Sequence, residues 1–172
     1  MLGLGILAAS TSSIFIRYAQ QDLPSLVIAA YRLSIATLIL APVCFARYRQ
    51  VMRRLTGKEW LLMALAGVFL GLHFATWITS LESTTVASSV VLVTTTPLWV
   101  ALLAGLVLRE KIFPMVWAGL AVAMTGSVLI SFSHICSLGV GAIHCSNLQP
   151  LWEAGAMRGN MLALTGAVMA AF

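Results

Sequence analysis

Two side chains able to carry charge stand where the flanking sequence is apolar on both sides. Arg32 lies within Ala29-Ala30-Tyr31-Arg32-Leu33, and His73 within Gly71-Leu72-His73-Phe74. A guanidinium about seven residues into an apolar run sits roughly 10 Å deep by helical rise. At that depth a cation is costly on a lipid face, so it turns toward a cavity or a partner, or its stem snorkels to the headgroups. Both readings of Arg32 stand on sequence alone. His73 is the one histidine inside an apolar run, and imidazole is the side chain that titrates near neutral pH. It shares a helix face with Trp77 and Ser80 at i, i+4 and i+7. That face suits either a solute path or plain packing. A third group is hydroxylic: Ser88, Ser89, Thr94, Thr95 and Thr96 precede Pro97. The proline cannot donate to the carbonyl of Val93, so a helix is expected to kink there, with threonines back-bonding the freed groups.

Other chemistry finds little support. Asp22, Glu59, Glu82, Glu110 and Glu153 all fall at the ends of apolar runs or between them, so no paired carboxylates form an acid–base site. No Gly-x-Ser-x-Gly, His-Glu-x-x-His or phosphate loop occurs, and no enzyme is read here. Cys136 and Cys145 lie in one polar segment where a disulfide is chemically permitted. The neighbouring His134 and His144 have no metal-ligand spacing, so neither a metal nor a cofactor is called for. Cys44 reads as an apolar filler.

The elements that hold these residues are helices in lipid. Hydrophobic residues make up 60% of the 172 and charged residues 9%, against roughly a quarter charged in soluble domains. Mean hydropathy is +1.00. A bilayer core of about 30 Å takes about 20 helical residues. Segments 2–18, 25–46, 60–80, 86–108 and 115–132 come close or qualify. A sixth apolar run, 159–172, reaches only about 21 Å, so the sequence reads as cut inside a helix. Each run is continuously apolar, unlike the alternation of a barrel strand, and no basic stretch precedes the first as in a signal peptide. The expected fold is an all-α polytopic bundle of five spans and a truncated sixth.

Charge sets the orientation. Arg47, Arg49, Arg53, Arg54 and Lys58 fall in one gap and Arg109 and Lys111 in another, two gaps later. The positive-inside rule places both in the cytoplasm, with the N-terminus inside and 133–158 outside. The net charge of +5 then reports topology and anionic lipid rather than nucleic acid. Trp60, Trp77 and Trp152 fall near expected interfaces. Stripes of small residues at Ala64, Gly67, Gly71 and Ala75, and at Gly119, Ala123 and Gly126, are expected to be helix contacts.

Taken in order, these pieces resemble the EamA-like branch of the drug/metabolite transporter superfamily. Ser12-Ser13-Ile14-Phe15-Ile16-Arg17 is similar to the end of its first helix, and Pro24 with Ala30-Tyr31-Arg32-Leu33 to its second. Ser80-Leu81, Thr84 to Ser89 and Thr96-Pro97-Leu98 resemble its third-to-fourth passage. Leu108-Arg109-Glu110-Lys111 with Trp117-Ala118-Gly119 resembles its fifth, and Gly159-Asn160-Met161-Leu162-Ala163-Leu164 the opening of a second unit. The resemblance implies a first five-helix unit over 1–132, an outer linker over 133–158, and the start of a second, inverted unit at 159–172, with the site between units. It implies a multi-pass carrier in the cell membrane, exporting a small metabolite such as an amino acid by alternating access. Arg32 would orient an anionic group, and His73, Trp77, Ser88 and Thr95 would line the path. The expected partners are a small-molecule solute, the lipid bilayer, and a second five-helix unit or a second copy. The rival reading is a scaffold or half-size subunit that dimerises without transporting.

Overall fold

A computed structural model describes residues 2–107, 109, 111–139, 142–145 and 154–172. Helices α1 (Leu2–Ala19), α2 (Ser25–Met52) and α3 (Gly57–Ser83) come first. They are followed by the pair α4 (Val86–Val93) and α5 (Thr96–Leu106), then by α6 (Pro114–Ile135) and α7 (Ala154–Met169). Among the described residues, Ser25–Met52, Gly57–Ser83 and Val86–Leu106 are long and apolar enough to cross a bilayer, and Pro114–Gly126 is a shorter apolar helix. Large apolar side chains such as Leu38, Ile39 and Leu40 stand well exposed along α2. In water that surface would drive aggregation; in lipid it is the ordinary outer face of a span.

The helix ends follow local chemistry. Thr56 and Glu59 open α3 with a reciprocal capping box, in which each side chain accepts from the other's backbone N–H. Helix α2 runs six residues past the expected span end at Ala46, and Tyr48 leaves helical geometry at φ −117° and ψ 18°. The fourth expected span is two helices. Its break falls at Thr94 and Thr95, just before Pro97. Thr96 Oγ1 donates to the Val93 carbonyl at 2.8 Å, supplying a donor where the proline has none. Thr94 and Thr95 likewise donate to the carbonyls of Val91 and Leu92.

The 133–158 segment adds something absent from an all-α reading. Strands β1 (Cys136–Gly139) and β2 (Ala142–Cys145) pair antiparallel, with Cys136 in register with Cys145. Four residues per strand is too short for a periodic signal, so hydropathy alone reads the stretch as linker. The side chains of both cysteines lie outside the described residues.

The core is small and mixed. Ile16, Ala29, Trp77, Ile78 and Leu81 are buried together, with Phe74, Val86 and Val93 against them. Ser13, Ser25, Ser80, Thr84, Ser89 and Thr95 are buried as well. Polar groups inside and apolar groups outside is the arrangement expected where helix association depends on packing and hydrogen bonds rather than on escape from water.

Candidate functional site

Three of the residues singled out above meet at one place. Arg32, half-buried on α2, donates through Nη1 to Ser12 Oγ on α1. Its Cζ lies 4.8 Å from the Phe74 ring centroid and 5.8 Å from that of Trp77, both on α3. The guanidinium is thus held by a hydroxyl and two π faces, contacts that hold a cation without neutralising it. Among the described residues no carboxylate pairs with it. His73 completes the aromatic group, 4.9 Å from Phe74 and 6.1 Å from Trp77 between ring centroids. Trp77 is buried among the helices, a facing that its position along the sequence does not reveal. Its indole Nε1 is closed off without an acceptor among the described residues.

Ser88 and Thr95 are engaged elsewhere. Ser88 Oγ donates to Asn160 Oδ1 at 2.8 Å, and Thr84 Oγ1 donates to the same oxygen at 2.8 Å. Thr95 Oγ1 accepts from Trp99 Nε1 at 3.1 Å while donating to Leu92. Ser80 meets Ser89 at 2.6 Å between hydroxyls.

Helix α7 is what closes this region, and it does so through two glycines seven residues apart. A Cβ on Gly159 would lie 2.9 Å from the Ser80 carbonyl oxygen and 2.9 Å from Thr84 Cβ. One on Gly166 would lie 3.0 Å from Thr76 Oγ1 and 3.3 Å from the His73 carbonyl oxygen. With only hydrogen there, α7 lies close enough for the Gly166 carbonyl to meet His73 Nδ1 at 2.8 Å. The stripes expected from sequence behave differently: Gly67, Gly71, Gly119 and Gly126 have nothing within 4 Å of a built Cβ among the described residues.

At the far end of α1, Arg17 Nη1 donates to the Thr84 carbonyl at 3.2 Å, and Gln20 Nε2 donates to Ser25 Oγ and the Ile78 carbonyl, each at 2.7 Å. These bonds tie α1 to α3 and to the α2 and α4 ends. Beside them runs an open groove of about 360 Å³ lined by Ile14, Arg17, Tyr18, Gln21 and Val86, at a different place from the Arg32 cluster.

Among protein-family models, that of the EamA-like transporter family matches residues 1–132. The chain belongs to the EamA-like transporter family. No curated protein and no solved structure matches it. Membership makes this EamA chain a multi-pass membrane protein of a transporter family, with a small-molecule solute and a membrane environment. The matched region holds Ser12, Arg32, His73, Phe74 and Trp77, whereas Asn160, Gly159 and Gly166 lie beyond it. Sequence reading passed over Ser12 and Phe74 as contacts of Arg32. Asn160 carried a usable signal, being a lone amide within a small and apolar run.

Proposed function

We propose that the protein is a carrier that moves a small metabolite outward across the cytoplasmic membrane by alternating access. In this reading α1, α2, α3, the α4–α5 pair and α6 are the five spans of a first unit, with the N-terminus in the cytoplasm and 133–158 outside. Helix α7 begins an inverted second unit, and the solute passes between units. The observation that carries the proposal is the setting of Arg32: a cation within an apolar helix, held over Phe74 and Trp77 with a serine and, among the described residues, no carboxylate. A purely structural arginine is normally neutralised by a partner, whereas a binding arginine keeps its charge for the solute. His73 and Trp77 wall the same cluster. Ser88 and Thr95 contribute to the path indirectly, by holding α4 against α7 and shaping the break before Pro97.

The test is solute flux in proteoliposomes holding the protein expressed from its complete reading frame. A carrier gives saturable flux of at least one metabolite, lost in Arg32→Leu at equal incorporation. A scaffold gives the same background flux in both proteins.

A further inference from the structure

We propose that the indole N–H of Trp77 is the second arm of an anion site whose first arm is Arg32, and that the solute therefore carries a carboxylate. The inference rests on the carrier reading above and names the chemistry of its solute. Indole Nε1 is a donor only, and so is guanidinium. Arg32 spends one N–H on Ser12 Oγ, leaving further donors in its planar fork. Trp77 Nε1 has no acceptor among the described residues, although the residue is buried and a buried donor left unpaired is destabilising. Such an exception calls for an explanation, and a missing ligand acceptor supplies one. The two donors belong to one cluster, since Arg32 Cζ lies over the Trp77 ring itself.

What fits both donors is a group with two acceptor oxygens and negative charge. A carboxylate has that form: one oxygen for the guanidinium and one for the indole. An amide offers a single oxygen and no charge, and an ammonium offers neither acceptor nor the right sign. The ring of Phe74 beside the same guanidinium makes the adjoining wall apolar and aromatic, so the part of the solute next to the carboxylate is apolar too. In the state described the indole nitrogen is closed off, and the solute reaches it when α1 or α2 moves away from α3. Alternating access requires a movement of that kind.

Benzoate, benzamide and benzylamine share one ring and differ in head group, so they make suitable probes. Binding is measured by calorimetry on the purified protein from its complete reading frame, and flux of the same three compounds in proteoliposomes. Benzoate is expected to bind, with the other two at least ten-fold weaker. Trp77→Phe keeps an aromatic ring and removes the N–H, and should weaken benzoate about ten-fold or more. Trp60→Phe, at an exposed tryptophan on the same helix, should leave it unchanged. Should Trp77→Phe fail to fold, the indole 15N–1H signal of Trp77 in the wild-type protein reports directly: it moves with benzoate and stays with benzamide. Unchanged benzoate affinity in folded Trp77→Phe, an unmoved indole signal, or benzylamine binding as tightly as benzoate overturns the anion site. Trp77-dependent binding of benzoate without flux of any solute leaves the site standing and overturns the carrier. Equal flux of all three compounds keeps the carrier and overturns the site.

Discussion

His73 donates its Nδ1–H to the main-chain carbonyl of Gly166, 2.8 Å away on α7. A carbonyl oxygen only accepts, so Nδ1 carries the hydrogen of this bond. His73 therefore positions α7 as well as walling the aromatic cluster. In His73→Asn the amide nitrogen falls near the place of Nδ1, and the bond to α7 should survive; His73→Leu should lose it. The readout is a disulfide between Phe69→Cys and Phe172→Cys, whose native rings stack at 5.1 Å. Oxidation should join the pair efficiently in the asparagine variant and several-fold more slowly in the leucine variant. Equal rates in both would remove His73 from the docking of α7.

Gly159 gives a steric counterpart. A methyl there meets backbone of α3 at 2.9 Å, which no flexible side chain can relieve. Gly159→Ala should destabilise the docked helix by about 1–3 kcal/mol, the usual cost of overfilling a packed contact. Thermal unfolding in detergent should show it, together with loss of the same disulfide. Gly67→Ala meets nothing within 4 Å and should leave the disulfide unchanged.

Arg32→Lys separates a planar fork, which bonds Ser12 and the solute at once, from a point charge. Ammonium keeps the charge and the π contacts but not the planar fork. Solute affinity should fall about ten-fold or more, because the ammonium no longer bonds Ser12 and the solute from one planar group. A lysine variant with wild-type kinetics would mean that the arginine serves only to anchor α2 near the headgroups.

Orientation is testable with a membrane-impermeant maleimide on intact cells, in a background where Cys44 is replaced by serine. Cys136 should label from outside when Cys145 is also serine, and Arg53→Cys, with all three of these native cysteines replaced, should label only after permeabilisation. The reverse pattern would invert the bundle.

The spans α2 and α3 were legible in the sequence because length and hydropathy belong to a stretch by itself. The Thr56 and Glu59 box that starts α3 is equally local, yet it was overlooked by a reading fixed on apolar runs. The places of Arg32 and His73 within α2 and α3 were legible, but not which way side chains turn: Trp77 faces the core, and Gly67 and Gly71 have nothing within 4 Å of an added Cβ among the described residues. Which glycines seat a neighbour depends on shape at a distance. Gly159 and Gly166 meet α3 residues some eighty to ninety positions earlier in the chain, and no local pattern distinguishes them from Gly119 and Gly126. The Ser12 contact to Arg32 was hidden in the same way, since it is set by how α1 crosses α2.

Because synthesis runs from the N-terminus, the bonds to Asn160 and Gly166 impose an order on biogenesis. Helices α3 and α4 enter the bilayer well before α7 has been translated. Through that interval the hydroxyls of Thr84 and Ser88 and the imidazole of His73 lack the acceptors that α7 will bring. Hydrocarbon offers no substitute. The nascent helices must keep that face toward water, the insertion machinery or a chaperone until residue 166 emerges. A ribosome paused within 133–158 therefore leaves an unfinished product with polar groups exposed along one seam, the kind of intermediate most prone to misassembly.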